Sequence, residues 1–166
     1  MQEALAQRRR HTGLLPGEGG ETMRLLRKFL SQVGSKYRPE ELLNINNKRF
    51  TETIDVSLPR DRMTYNGFYL GQDRRWFTPS SLLLQKLAQE DDTKKAYVDR
   101  DAAWLFVVGK DIFEENVQRF QGDVKPGRYC LVMFGEGCIG YGRFETSGDR
   151  RVIKNMFDVG DFLRRE

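Results

Sequence analysis

Glycines spaced Gly135-x-Gly137-x-x-Gly140, in the stretch FGEGCIGYGRFE from Phe134 to Glu145, match the fingerprint that cradles a dinucleotide pyrophosphate. That chemistry needs a strand before the glycines and a helix opening directly after them, with its N-terminus aimed at the phosphates. The strand is present, because Tyr129 to Phe134 is apolar and β-prone. The helix is not. Ile139-Gly140-Tyr141-Gly142-Arg143-Phe144 sets Gly140 and a further glycine, Gly142, among bulky residues, which is poor helix material. The stretch therefore reads as a β-hairpin turning at Gly135-Glu136-Gly137, and no cofactor is expected.

Other reactive side chains are few. Cys130 and Cys138 flank the turn, and a turn centred on Glu136 sets Cys130 opposite Gly142 rather than opposite Cys138. Two small buried thiols are expected, not a disulfide. One histidine and two cysteines make no convincing zinc set. The histidine, His11, lies in the front extension, and no acid pair shares an assignable face with a nucleophile, so no catalysis is expected.

Cations and aromatics offer a different chemistry. Asp149-Arg150-Arg151, followed by Lys154-Asn155, is the densest basic cluster of the second half. Arginine pairs well with phosphate, and asparagine can read a base edge. The blander alternative is a solvated turn capped by Asp149, its field reduced by Asp158 and Asp161. Tyr65, Phe68, Tyr69, Trp76 and Phe77 can stack on unpaired bases, but aromatics at strand spacing mostly belong to a core. Trp76 stays open, because Arg74 and Arg75 precede it. Arg24, Arg27 and Lys28 share one face of a helix, which is either a wet face or an extension of an RNA footprint.

These residues need a scaffold, and 166 residues can bury one core with a small unit attached. The composition, 39% hydrophobic and 31% charged with a mean hydropathy of −0.64, is that of a water-exposed globular chain. No apolar run approaches the roughly 18 residues of a membrane span. The triple arginine Arg8–Arg10 is not followed by a leader's apolar stretch. No membrane is expected, and the expected location is cytoplasmic. The net charge of +4 is uneven: residues 1–38 hold eight Lys/Arg against three Asp/Glu. The remainder is close to neutral, so any claim on nucleic acid there must rest on local clustering.

Residues 1–20 end in the Gly/Pro-rich GLLPGEGG and read as a flexible extension. Met23, Leu26, Phe29, Leu30 and Val33 predict a helix stopped by Gly34. Residues 39–43 predict a short turn of helix, and Ile54 to Leu58 alternates as a strand. Phe68–Leu70 and Trp76–Phe77 read as strand pieces. After them Thr78 is expected to cap a helix with Pro79 at its first position. Polar residues 89–95 mark a boundary between a small N-terminal unit, 21–90, and a second unit, 94–166. In the second, the apolar run Ala102–Val108 is expected to be a buried strand broken by Gly109-Lys110. Asp111 is expected to cap a short helix with Glu114 as its capping-box partner. Val152-Ile153 is too short to stand as a strand, and Val159, Phe162 and Leu163 close the chain.

The order of an apolar run, Gly109-Lys110-Asp111, Gly122-Asp123 before a strand, and a hairpin ending Ile139-Gly140-Tyr141-Gly142 resembles a PUA domain. That is a compact RNA-binding pseudo-barrel. Asp149 to Glu166 is similar to the C-terminus of Nip-type archaeal ribosome-biogenesis factors. Gly67 to Gln89 resembles a segment beside the catalytic domain of Sun/Fmu-type rRNA cytosine methyltransferases, here without that catalytic domain. The resemblance implies an α+β protein, a small N-terminal α/β unit followed by a C-terminal PUA-like β pseudo-barrel. It implies non-catalytic binding of structured RNA, rRNA first and tRNA second, in ribosome biogenesis or rRNA modification. Carried over by position, the implied contacts are Gly109, Lys110, Gly140, Gly142 and Arg143. The basic cluster adds Arg150, Arg151, Lys154 and Asn155. The alternatives are an adaptor docking an RNA methyltransferase or assembly factor, and a small nucleobase-directed enzyme.

Overall fold

The computed structural model describes residues 19–39, 42–51 and 67–164. The front extension with His11, the expected strand Ile54–Leu58 and Tyr65 lie outside the described residues.

Helix α1, Gly19–Val33, forms as its periodicity predicts: Leu26, Phe29, Leu30 and Val33 are buried on one face, while Arg24, Arg27 and Lys28 are exposed. Gly34 ends it with φ +81°, a conformation glycine adopts without strain. The expected turn of helix over residues 39–43 lies partly outside the described residues; the next described element is β1, Leu43–Ile45, paired with β2, Lys48–Thr51. Asn46 and Asn47 make the two-residue turn between them, both at positive φ, as a type I′ hairpin requires. Strand β3, Phe68–Asp73, and strand β4, Phe77–Pro79, complete a four-stranded antiparallel sheet in the order β1-β2-β3-β4. Pro79 belongs to β4, so the helix cap falls two residues later than expected. The cap is Ser80, whose hydroxyl accepts from the Leu83 N–H at 3.0 Å and opens α2, Ser81–Ala88.

The second half is a six-stranded sheet ordered β6-β10-β9-β8-β5-β7. Its strands are β5, Lys95–Val98; β6, Ile112–Phe113; β7, Val117–Gln121; β8, Tyr129–Phe134; β9, Gly137–Ser147; and β10, Arg150–Asp158. All neighbours are antiparallel except β5 and β8. The crossover between those two contains α3, Arg100–Val107.

Three expectations are corrected here. The run Ala102–Val108 is helix, not strand. Asp99 caps it, accepting from the Ala102 N–H at 2.9 Å, and Ala102, Ala103 and Phe106 point inward while Trp104, Leu105 and Val108 face water. A continuous apolar run hides its period, and the deciding signals are the acidic cap and the glycine stop. Asp111 caps no helix; Ile112–Phe113 pairs with β10 and, after the short 3₁₀ turn Glu114–Asn116, Val117–Gln121 pairs with β5. Val152-Ile153 is the middle of a nine-residue strand. Its flanking cations concealed it.

The hairpin of β8 and β9 stands as expected, with Cys130 opposite Gly142. The turn is the two-residue Gly135-Glu136, and a bulge between Val132 and Met133 in the β8–β9 register restores that pairing further down. Both thiols are free and buried. One hydrophobic cluster joins Phe29 and Leu30 of α1, Leu70, Phe77 and Leu84 to Leu131, Met133, Cys138 and Tyr141 of the hairpin. A second, with Ala96, Phe106, Ile112, Val132, Phe144 and Ile153, packs α3 on the other side of the six-stranded sheet. In the connection 89–95, Thr93 is fully buried, its hydroxyl 2.9 Å from the carbonyls of Leu87 and Glu90.

Candidate nucleic-acid interface

Helix α3 ends in a Schellman motif. The Gly109 N–H donates to the Phe106 carbonyl and the Lys110 N–H to the Leu105 carbonyl, both at 2.9 Å. Gly109 has φ +90°, so glycine here is a helix stop first. The motif turns the chain sharply and leaves Lys110 exposed at the corner, with no ion pair among the described residues.

The chain then runs antiparallel to β10, with Phe113 opposite Val152 and Ile112 opposite Ile153. This pairing brings most of the expected cations together. Side chains on a strand alternate between faces. Arg150, Val152 and Lys154 therefore share one face, and the β9 register adds Arg143 beside Lys154 and Glu145 beside Val152. Arg150 stacks its guanidinium over the Phe113 ring, 5.4 Å from the centroid. The aromatic ring is 39% exposed, so it is available to a ligand as well.

Acids from the same corner meet three of these five cations. Lys154 Nζ lies 2.9 Å from Asp111, Arg151 3.3 Å from Glu114, and Arg143 3.2 Å from Glu145. Donating a hydrogen bond to Asp111 raises the Lys154 pKa above its ordinary value. These pairs are solvent-exposed, and such pairs add little to stability. A phosphate can displace the carboxylates at little cost. Lys110 and Arg150 have no ion-paired acid among the described residues to displace.

The remaining expected contacts lie inside. A Cβ on Gly140 would sit 2.2 Å from the Phe157 carbonyl oxygen, and one on Gly142 2.2 Å from Ile153 Cγ2. Both glycines are buried and let β9 and β10 approach closely, so they present no surface to RNA. Asn155 is not a free base reader either. Its amide donates to the Phe106 carbonyl at 2.7 Å and to Asp158 at 3.0 Å, while its own N–H donates to Asp111 at 2.9 Å. Asp158, fully buried, is gripped from the other side by both nitrogens of Arg164, which also donates to the Val107 carbonyl. Asn155 and Arg164 thus close off the C-terminal carbonyls of α3.

Two residues at this corner were missed in the sequence. Trp104 is 67% exposed on the outer face of α3, and Phe113 lines a groove of about 380 Å³ with Leu105, Lys110 and Ile112. The signal that would have found Trp104 is the bracket of Asp99 and Gly109, which makes the run a short helix with an outer face. Of the earlier aromatics, Phe77 is core, Phe68 and Tyr69 are half-buried, and Trp76 is exposed beside Arg74 and Arg75.

Comparison with known proteins agrees with this architecture. The family model described as UPF0113 PUA domain matches residues 94–166. A PUA-domain protein of Aeropyrum pernix, solved as a tartrate complex, aligns with a TM-score of 0.59 at 14% identity, over 90% of this chain and 86% of that one. A conserved PUA-domain protein of Thermoplasma acidophilum gives 0.50 at 16% identity, over 87% and 93%. A hypothetical protein of Pyrococcus horikoshii gives 0.50 at 15%, over 86% and 94%. No curated protein matches the chain. The fold is α+β with a PUA fold in its C-terminal part, and PUA domains are in general RNA-binding and non-catalytic. Among the described residues no helix is long and apolar enough to cross a membrane.

Proposed function

We propose that this protein binds structured RNA without catalysis, through residues 94–166, and that its target is ribosomal RNA during subunit assembly or modification. One observation carries the reading: the β6–β10 pairing sets Arg150 over the half-exposed Phe113 ring, with Lys154 on the same face of β10, Lys110 lining the groove beside the ring and Arg151 paired with Glu114. Cations beside a solvent-facing aromatic suit RNA, where phosphates meet the charges and an unpaired base meets the ring. The choice of ribosomal RNA rests on the similarity of residues 149–166 to Nip-type factors. Lys110 and Arg150 would make the primary phosphate contacts, with Arg143, Arg151 and Lys154 joining as their carboxylates are displaced. The deciding experiment is equilibrium binding to ribosomal RNA fragments and to tRNA across a salt series. Preference for a ribosomal fragment supports the whole proposal. Equal binding to all RNAs keeps RNA binding and removes the ribosomal assignment, and no binding removes both.

A second reading is favoured by the outer face of α3. Trp104 and Leu105 are neighbours, with Val108 one turn further on, and they are 67%, 46% and 38% exposed. Such a face suits a protein partner, an RNA methyltransferase or assembly factor, and would make the chain an adaptor. A defined complex with a candidate partner that survives ribonuclease and is lost on Trp104→Ala would support it.

A further inference from the structure

A second cleft lies on the seam between the two sheets. Its volume is about 790 Å³, and it runs between the β3–β4 turn and the C-terminal end of β10. Arg74, Arg75 and Trp76 come from the turn, Leu82 from the start of α2, and Met156 from β10. We propose that this cleft takes an unpaired nucleotide of the bound RNA, its base stacked on the Trp76 indole and its phosphate held by Arg74 and Arg75. The proposal rests on the RNA-binding reading and gives it a second contact of a different kind.

Four observations carry it. Trp76 is 52% exposed, a large aromatic face presented to solvent at a turn where the chain could have placed a polar residue. Arg74 and Arg75 are exposed and make no ion pair among the described residues, so their charge is available. The acids of the far wall are engaged elsewhere: Asp158 is held by Arg164, Asn155 and the Gly160 N–H, and Asp161 lies 3.8 Å from Arg164. Finally, Met156 sits where the β9–β10 register slips, between Asn155 and Phe157. A bulge of this kind turns a side chain out of the ladder, and here it supplies a polarisable apolar wall at 37% exposure.

The same strand joins this cleft to the basic corner. β10 carries Arg150 and Lys154 before it reaches Met156, and at about 3.3 Å per residue Arg150 and Met156 lie some 20 Å apart or less. An RNA held by its phosphates at Lys110 and Arg150 has only to send a short unpaired tail along β10 to reach Trp76. Stacking there is sequence-tolerant, because every base offers a π-face. Gln72, Thr78 and Ser81, also in the lining, supply neutral groups for a base edge.

The test compares one RNA hairpin, blunt or carrying a short single-stranded tail, on four proteins: wild type, Trp76→Ala, Trp76→Phe and Lys110→Ala/Arg150→Ala. Wild type should prefer the tailed hairpin by about tenfold, the scale of one base stack. Trp76→Ala should remove that preference and leave blunt binding unchanged, while Trp76→Phe keeps most of it. Lys110→Ala/Arg150→Ala should weaken both RNAs. If Trp76→Ala costs nothing while the double variant does, the cleft inference fails and the basic corner stands. If Trp76→Ala acts and the double variant does not, the corner fails and the cleft stands. A wild type that ignores both RNAs defeats both. Calorimetry with AMP distinguishes the source of the nucleotide. AMP bound by wild type and lost in Trp76→Ala, with no tail effect, would overturn the RNA-borne nucleotide in favour of a free one.

Discussion

The side-chain amide of Asn155 donates to the carbonyl of Phe106, 2.7 Å away, and so ties the middle of β10 to the C-terminus of α3. A carbonyl oxygen has two lone pairs, and on Phe106 the Gly109 N–H takes one and leaves the other to be filled. Asn155 does this while its second amide hydrogen meets Asp158. The residue that the sequence offers as a base reader is thus a fastening between strand and helix. Asn155→Ala should lower stability by about 1–3 kcal/mol, for the loss of one neutral hydrogen bond and one to a charged group. Urea unfolding measures it. RNA affinity under folding conditions should stay within about twofold, since exposed contacts are untouched. A large affinity loss at unchanged stability would return Asn155 to the interface.

The two interior glycines make a harsher test. Gly140 has φ +153°, and its added Cβ would meet both the Phe157 carbonyl oxygen and the Phe106 ring. At Gly142 the collision is with Ile153 and with the Lys154 carbonyl oxygen. Backbone cannot yield as a surface side chain would, and overpacking of this kind costs about 1–3 kcal/mol or more. Gly140→Ala should be the worse of the two, because strain adds to collision. Thermal melts of both variants measure it. A Gly142→Ala protein that melts with the wild type and loses RNA binding would mean the glycine serves a ligand after all.

How far the sequence reached depends on whether the deciding contact was local. Helix α1 and the β8–β9 hairpin were legible because their signals, an apolar period and a Gly135 turn, sit within the element itself. α3 was not, because Ala102–Val108 is apolar on the inner and outer faces alike. β10 was masked by Arg150, Arg151, Lys154 and Asn155, and what holds it as a strand is pairing with β9 and β6. For the candidate interface, clustering in the sequence located Arg150, Arg151 and Lys154. It could not show that Asp111 and Glu114, some forty residues earlier, lie against two of them. Nor could it place Gly140 and Gly142 inside, since a glycine that meets a ligand and one that meets a neighbouring strand read alike.

Those acid partners change the salt dependence that RNA binding should show. Of the five cations at the basic corner, Lys110 and Arg150 can take a phosphate without releasing a carboxylate. With about three to four phosphates neutralised in all, log K should fall against log salt with a slope of roughly −2 to −3, at about 0.7 per phosphate for single strands. Lys110→Ala/Arg150→Ala should flatten it by about 1.4. Arg143→Ala/Lys154→Ala should change it less, since each removal also frees an acid that repels RNA, and Glu145→Gln or Asp111→Asn should instead tighten binding at low salt. Equal effects from the two double variants would show that the ion pairs are not held in solution.

The buried thiols give a prediction independent of any ligand. Burial pushes both Cys130 and Cys138 up to about 12, from an ordinary value of 9.0. A thiolate is the reactive form, so the native protein should resist thiol reagents at pH 8 and react only as it opens. The sign of the pH effect follows from proton uptake. Above pH 9 the unfolded thiols lose their protons while the folded ones keep them, so the unfolded state binds fewer protons and stability falls as pH rises. The contribution is complete below pH 9 and is lost toward pH 12, at up to about 1.4 kcal/mol per thiol per pH unit. Tyr141, also raised by burial, adds a loss in the same direction at higher pH. Urea midpoints of wild type and Cys130→Ala/Cys138→Ala should therefore diverge in trend between pH 8 and 10. The wild type should drop more steeply, and the double variant, although weaker at pH 8 for want of packing, should hold flatter. Parallel pH profiles would show that these thiols titrate as they do in water.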